Sequence, residues 1–179
     1  MIIRTATTID ARAIAIVHVA SERAAYRGIV PDVVLNALSV DARAIAWQER
    51  IQRGGSTTLL AESDGVQGWL NCGACRDADA ASDTAELRAM YVSPEKWRSG
   101  VGAALWSQAR MLLQESGYRD IVLWVLEANV AARQFYEREG FTLEQGTHKM
   151  LTYGSTELRA LRYRLALHPP QPSGRPKLS

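Results

Sequence analysis

The sequence predicts a single α/β domain in which helices flank a sheet. The chain has 179 residues, which is enough to bury a core and short for two domains. Strand-like and helix-like segments alternate along it, and residues 121–126 form a continuous apolar run. Such a run is typical of a strand that is covered on both faces.

The N-terminal half is predicted to hold three strands and three helical pieces. Residues 2–6 form the first strand, and Thr7 and Asp10 have the spacing of a capping box that starts a helix. A second helical piece begins at Pro31, and a third covers 42–51. Residues 57–61 and 66–72 are predicted strands joined as a hairpin through 63–65. The expected buried face of the first helix consists of Ala13, Ile16, Val17, Ala20 and Ala24.

The C-terminal half continues the alternation. Strands are predicted over 85–92 and 121–126, and helices over 100–115 and 129–139. Gly117 and Gly140 follow these helices at the usual place of a helix stop. Residues 141–144 and 157–167 are predicted closing strands. The domain is expected to span 1–168, and 169–179, rich in Pro, Ser, Gly and charge, to be disordered.

Charge and hydropathy exclude several classes of protein. The net charge is +2, and both excess charges, Arg175 and Lys177, fall in the tail. A neutral body argues against a broad nucleic-acid surface, which needs an excess of basic side chains on one face. No apolar run is long enough to cross a bilayer. Because Met1–Thr5 lacks the zones of a secretion signal, a cytoplasmic location without membrane attachment is expected.

The two cysteines, Cys72 and Cys75, form a single C-x-x-C. A zinc site would need a second ligand pair, and the histidines lie far off in sequence without ligand spacing. The pair falls inside a predicted strand, whereas a redox motif is expected at a strand-to-helix turn. We therefore predict two reduced packing cysteines, with no metal and no redox role.

The segment 86–103 carries the most chemical information. A predicted strand runs into a turn, and Gly100 and Gly102 then open a long helix. Glycines permit close approach of a ligand to the backbone, and the unpaired N–H groups of a first helical turn suit a pyrophosphate. Arg98 adds positive charge beside this turn. Tight packing of the helix on the strand is the alternative explanation of the glycine pair, and the third glycine of a dinucleotide fold is absent.

Two motifs resemble signatures of the GNAT superfamily of acetyltransferases. Tyr91-Val92-x-Pro94-x-x-Trp97-Arg98-x-Gly100-Val101-Gly102 resembles its acyl-CoA-binding motif. Asn129-x-x-Ala132-Arg133-x-Phe135-Tyr136, closed by Gly140-Phe141, resembles its second signature at the usual separation. The order of elements agrees over residues 1–167. The resemblance implies the GNAT fold, a mixed and mostly antiparallel sheet whose fourth and fifth strands splay apart to admit the pantetheine arm.

The same resemblance implies acetyl-CoA as the acyl donor and a set of residues that bind it. Main-chain groups of Met90 and Val92 are expected to pair with pantetheine, and Tyr91, Asn129 and Arg133 to make further contacts. Trp97 departs from the Gln or Arg of many relatives, and its function is expected to be through the main chain. The expected pyrophosphate cradle is formed by the amides of Arg98, Ser99, Gly100, Val101, Gly102 and Ala103.

The implied reaction is the transfer of an acetyl group to a primary amine by direct attack, without a covalent enzyme intermediate. Holding the amine and the thioester in line supplies much of the rate. The Met90 amide is the expected hydrogen-bond donor to the oxyanion of the tetrahedral intermediate. Tyr136 is the expected acid that protonates the leaving thiolate. Glu86 stands where histone-acetylating relatives carry a catalytic glutamate. The alternatives are a core role for Tyr136 and an ordinary strand-end carboxylate, paired with Arg88 or solvent, for Glu86.

The acceptor side is the least specified by the resemblance. Glu127 and His148 are weaker candidates for the base, and the acceptor pocket is expected from Glu22, Tyr26, Arg27 and the connection 146–154. The expected partner is a small-molecule or peptide amine, and a homodimer is an open possibility. The rival prediction is a module of the same fold that binds or senses acyl-CoA without turnover.

Overall fold

A computed structural model of the chain describes residues 1–167, and it contains a seven-stranded sheet in the order β1-β2-β3-β4-β5-β7-β6. The strands are Ile2–Thr5 (β1), Thr57–Glu62 (β2), Val66–Ala74 (β3), Thr84–Val92 (β4), Asp120–Leu126 (β5), Thr142–Tyr153 (β6) and Thr156–Ala166 (β7). The helices are Ala11–Ala25 (α1), Asp32–Asn36 (α2), Val40–Arg53 (α3), Val101–Glu115 (α4) and Val130–Arg138 (α5). The predicted tail 169–179 lies outside the described residues.

Local signals set several of these boundaries. The Asp10 carboxylate accepts a hydrogen bond from the Thr7 backbone N–H at 2.8 Å, as the predicted capping box requires. Asp64 and Gly65 both have positive φ, 52° and 103°, in the turn that joins β2 to β3. No helix within residues 1–167 is long and apolar enough to span a membrane.

The sheet is mixed and mostly antiparallel, as predicted. Every neighbouring pair of strands is antiparallel except β4 and β5, which are parallel. Their pairing runs only from Thr84 opposite Asp120 to Leu87 opposite Leu123. Beyond that point β4 continues to Val92 and β5 to Leu126 without pairing to each other. The two strands therefore open into a gap, which confirms the predicted splay.

A core on each face of the sheet fixes the position of this gap. On one face α4 packs on β2, β3 and β4, and the same core continues to α5, β5 and β7, with Leu105, Trp106 and Tyr136 among the buried residues. On the other face α1 and α3 cover the sheet through Ile14 and Trp47. Ala85 and Leu87 belong to the α4–α5 face. Because side chains alternate along a strand, Glu86 lies on the α1–α3 face.

Two sequence-based predictions about the elements were wrong. In α1, Ile16 is 51% exposed, whereas the polar residues His18 and Glu22 are buried. Apolarity alone therefore misplaced the buried face of this helix. The segment 146–154 was predicted as a connection, yet β6 runs through it to Tyr153. The break in the β6–β7 register lies between Leu143 and His148, and Gly146 within it has a positive φ of 78°.

Candidate functional site

The exposed edge of β4 offers main-chain groups to the gap. The Ser93 N–H donates to the Gln67 carbonyl, so this pair belongs to the hydrogen-bonded set of the β3–β4 ladder. Hydrogen-bonded and non-bonded pairs alternate in an antiparallel ladder. The pairs of Met90 with Leu70 and of Val92 with Gly68 are therefore non-bonded. Their N–H and C=O groups point away from β3, toward the gap.

One of these groups already has partners. The Val92 carbonyl accepts a hydrogen bond from Trp97 Nε1 and another from the Ser21 hydroxyl, each at 2.7 Å. Trp97, which departs from the family motif, thus ties the turn before α4 to the end of β4. The groups of this edge that face the gap and remain free for a ligand are the Val92 N–H and the N–H and C=O of Met90.

The start of α4 presents a row of free amides. Gly100 caps the helix with a φ of 88°, and Arg98 before it also has a positive φ, 60°. The first helical hydrogen bond runs from the Ala104 N–H to the Gly100 carbonyl at 3.0 Å. The N–H groups of residues 100–103 have no acceptor within residues 1–167. The buried Val101 side chain holds the turn in place, and this arrangement fits a pyrophosphate group.

The second predicted glycine lies where α4, α5 and β4 meet. A Cβ atom at Gly102 would lie 3.4 Å from the Phe135 ring and 3.8 Å from the Met90 side chain. Asn129 caps α5, since its Oδ1 accepts a hydrogen bond from the Ala132 N–H at 3.2 Å. Arg133 is held by structural contacts, because it donates to the Tyr163 hydroxyl and to the Glu127 carbonyl.

Tyr136 lies in the core on the α5 side of the sheet. Its ring packs edge-on against Phe135 and Phe141, with centroid distances of 5.4 and 5.7 Å. Its hydroxyl has no hydrogen-bond partner within residues 1–167. Burial raises the pKa of this phenol, so the group is neutral and keeps its proton. A neutral phenol without a partner can donate that proton to a ligand atom.

Glu86 is 3% exposed and lies on the opposite face of the sheet. Both of its carboxylate oxygens accept hydrogen bonds from Arg76 at 2.7 Å, and Arg88 Nε lies 4.0 Å away. The principal partner is therefore Arg76, in the loop between β3 and β4, and not the predicted Arg88. Any group that gives a proton to Glu86 has to share the carboxylate with this guanidinium.

A second buried carboxylate lies on the same face as Glu86. Glu22 on α1 is 6% exposed, accepts a hydrogen bond from Arg43 at 3.0 Å and lies 3.5 Å from His18 Nε2. Burial raises the pKa of Glu22, and Arg43 opposes that shift. His18 is neutral, because burial and, to a lesser extent, Arg43 and Arg50 lower its pKa to about 3.

Tyrosines connect this carboxylate to the gap. The Tyr26 and Tyr91 hydroxyls lie 3.1 Å apart, and the Tyr153 ring from β6 packs edge-on against Tyr26 at 6.0 Å. Burial is the main cause of a raised Tyr26 pKa, and the proximity of Glu22 and Tyr136 contributes. Tyr26 and Tyr136 thus influence each other electrostatically, although they come from opposite faces of the sheet.

The structure brings together only part of the predicted acceptor site. Glu22, Tyr26 and Tyr153 of the segment 146–154 meet, whereas Arg27 and His148 are exposed. Glu127 is 46% exposed and pairs with Arg159. Sequence reasoning missed one face of α3, which carries Arg43, Trp47 and Arg50 at the i, i+4, i+7 spacing. That spacing was the signal that could have identified it.

The cysteines do not form a recognisable ligand group. Cys72 is buried in β3, and burial raises its pKa to about 11. Cys75 follows the end of β3 at Ala74, so the pair is not wholly within the strand as predicted. Within residues 1–167 no three His, Cys, Asp or Glu side chains form a group that could hold a metal ion.

Comparison with known proteins gives consistent matches over most of the chain. A family model described as "Acetyltransferase (GNAT) family" matches residues 25–141. The uncharacterized N-acetyltransferase YuaI of Bacillus subtilis (strain 168) is 32% identical over 127 residues, 71% of this chain and 72% of that protein.

Solved structures match over nearly the whole fold. The ribosomal-protein-alanine N-acetyltransferase of Brucella melitensis superposes with a TM-score of 0.73 at 21% identity, covering 93% of this chain and all of that one. The protein yncA of Salmonella typhimurium, solved with its cofactor acetyl-CoA, gives a TM-score of 0.69 at 24% identity, covering 100% of this chain and 99% of that one.

Proposed function

This chain belongs to the acetyltransferase (GNAT) family, whose members use acetyl-CoA, and on that premise we propose that it acetylates a primary amine by direct attack. The observation that carries the proposal is the arrangement around the gap between β4 and β5. Tyr136 lies on the α5 face of the sheet, and Tyr26, whose hydroxyl is 3.1 Å from that of Tyr91 on β4, lies on the α1 face beside Glu22. We infer that the acid and the acceptor groups face the gap from opposite sides.

The protein's own contribution is first to hold the reactants. Acetyl-CoA, when bound, supplies an acetyl group activated as a thioester. The free amides of residues 100–103 would hold the pyrophosphate, and the β4 edge at Met90 and Val92 would pair with the pantetheine arm. The Met90 N–H is the proposed donor to the oxygen that gains negative charge.

Proton transfer follows from the burial of the site residues. Tyr136 is the proposed acid, which donates its hydroxyl proton to the leaving sulfur. An alkylammonium has a pKa of about 10, so the acceptor needs a base. Glu86 is the proposed base, and Glu22 is a second candidate. Burial raises the pKa of Glu22 toward the range in which a carboxylate removes protons effectively at neutral pH.

The acetyltransferase family favours an enzyme over the rival prediction of a non-catalytic acyl-CoA-binding module. Relatives across the chain are named N-acetyltransferases, and the gap, the free amides and the Tyr136 hydroxyl are all present. A small-molecule or peptide amine as acceptor, a cytoplasmic location and a homodimer remain proposals. The neutral charge of the body makes a nucleic acid an unexpected partner.

The direct test is an acceptor panel measured with purified protein. Release of CoA and formation of the N-acetyl product are followed by chromatography and mass spectrometry with small amines, peptide N-termini and lysine peptides. Calorimetry with acetyl-CoA and CoA is run beside it. We expect CoA release that depends on the amine and matches the product in amount. Binding of acetyl-CoA without product from any amine would contradict the proposal.

A further inference from the structure

One face of α3 places arginines beside the α1–α3 face of the sheet. Trp47 is 5% exposed and packs edge-on against Trp69 of β3 at a centroid distance of 4.5 Å, which fixes the rotation of the helix. Arg43, one turn before Trp47, donates to Glu22. Arg50, one turn after it, stacks its guanidinium 5.3 Å from the Trp47 ring centroid. These two arginines therefore flank Trp47 on the face of α3 that meets α1 and the sheet.

Two further arginines lie near the end of α3. Arg76 and Arg88 are both within 4.0 Å of the Glu86 carboxylate, and Arg88 donates to the carbonyl of Gly55, two residues after α3 ends at Arg53, at 3.4 Å. In line with this placement, their positive charges contribute, after burial, to a lowered Arg50 pKa. Arg50 forms no ion pair or hydrogen bond within residues 1–167. We call Arg43, Arg50, Arg76 and Arg88 the arginine cluster.

The carboxylates beside the cluster do not balance its charge. Glu22 pairs with Arg43, and Glu86 is held by both hydrogen bonds of Arg76. The next carboxylate, Asp77, accepts hydrogen bonds from Trp124 and Arg162 instead. Four guanidinium groups thus face two carboxylates, and like charges this close repel one another unless an anion lies between them.

Arg88 adds a geometric observation. It is the extra residue of a bulge in β4, because Cys72 pairs with Leu87 and Asn71 pairs with Ala89. It directly follows the last residue of β4 that pairs with β5, so it stands where the gap opens. Its Nη2 donates to the carbonyls of Gly55 and Ala74, whereas its Nε is buried, lies 4.0 Å from the Glu86 carboxylate and has no hydrogen-bond partner. A buried donor without a partner is costly and indicates a missing acceptor.

We propose that the arginine cluster binds an oxyanion, a carboxylate or a phosphonate, that the acceptor amine carries. The inference rests on the proposed function and names the chemical class of its substrate: a small amine with an anionic group a few bonds from its nitrogen. Guanidinium groups suit this task because their planar forks match the oxygens of such anions. The same positive field lowers the pKa of the substrate ammonium and so favours the neutral amine that attacks.

The test compares acceptors that differ only in charge. Steady-state kinetics are measured with amino acids, the corresponding carboxamides and aminophosphonates, and neutral alkylamines. We expect kcat/KM at least tenfold higher for an oxyanion-bearing amine than for its carboxamide. The oxyanion that reacts faster identifies which of the two the site takes. Added salt should raise KM for the anionic acceptor and leave the carboxamide nearly unchanged.

A variant then assigns the effect to the cluster. Arg50→Met removes an exposed guanidinium and keeps the contact with Trp47, so the fold should be unaffected. We expect KM for the anionic acceptor to rise about tenfold, with kcat and the carboxamide changed by less than about twofold. Arg12→Met is the matched control, because Arg12 makes only an exposed ion pair with Asp41.

The outcomes separate this inference from the proposed function. If carboxamides or alkylamines react as well as their anionic analogues, the cluster does not select the acceptor, although the acetyltransferase function stands. If Arg50→Met slows both acceptors equally, the arginine has a structural role and the inference is wrong. If no amine is acetylated while acetyl-CoA binds, the proposed function fails, and this inference fails with it.

Discussion

Tyr136→Phe is the sharpest perturbation of the proposed chemistry. The substitution keeps the ring that packs against Phe135 and Phe141 and deletes only the hydroxyl. That hydroxyl forms no hydrogen bond with any residue in the described part of the chain. Its removal therefore breaks no internal hydrogen bond. The free energy of unfolding should change by less than about 1 kcal/mol.

The effect on rate should be far larger than the effect on stability. A positioned acid contributes about 10²–10⁴-fold, so kcat should fall at least 100-fold, about 2.7 kcal/mol in the transition state. The affinity for acetyl-CoA should change by less than about twofold, because the ring remains. A large loss in kcat at constant affinity is the signature of an interaction made only in the transition state.

The assay has to avoid the protein's own thiols. Cys75 is partly exposed, so CoA is best quantified by chromatography rather than with a thiol reagent. Tyr118→Phe is the matched control: it makes the same change at a partly buried tyrosine near the start of β5, away from the gap. Wild-type kcat in Tyr136→Phe, with acetyl-CoA still bound, would refute the assignment of Tyr136 as the acid.

Three further predictions concern the base, the cradle and stability. Glu86→Gln should lower kcat most at low pH and recover partly as alkaline pH deprotonates the amine; a pH–rate profile identical to wild type would transfer the role to Glu22 or water. Gly102→Glu should weaken acetyl-CoA binding at least tenfold, about 1.4 kcal/mol, as measured by calorimetry. Gly102→Ala should bind acetyl-CoA like wild type, because its Cβ makes ordinary contact with Phe135. Equal affinities of Gly102→Glu and wild type for acetyl-CoA would mean that the cradle lies elsewhere. The pKa of His18 in the folded state is lowered to about 3, so between about pH 6.5 and 3 only the unfolded state binds a proton at His18. The free energy of unfolding should therefore fall as pH falls through this window, by on the order of 1 kcal/mol per pH unit. Urea titrations in which wild type and His18→Gln show the same dependence on pH would contradict this.

The sequence predicted the parts of the fold that local chemistry determines. The apolar run 121–126 became a strand buried on both faces, and the capping box of Thr7 and Asp10 formed as expected. The glycine pair at the start of α4 was also correctly placed. In each case the residues of one short segment determine its local structure, so the prediction needs no knowledge of the tertiary structure.

The acceptor side could not be predicted in the same way, because tertiary contacts define it. His18 and Glu22 are polar residues on a helix face that apolarity rules assign to solvent, and they are buried because Trp47 and Arg43 of α3 meet them. The pairing of Glu86 with Arg76 joins a strand to a loop that the sequence shows only as polar. Long-range partners of this kind leave no spacing signal within one segment.

The most direct test of the account is one experiment with acetyl-CoA, an amine panel and the Gly102→Glu variant. The account predicts that wild-type protein forms N-acetyl product and CoA in equal amounts. Product formation in the variant should require at least tenfold more acetyl-CoA for the same rate. Hydrolysis of acetyl-CoA without an acetylated amine, or equal dependence on acetyl-CoA in both proteins, would contradict it.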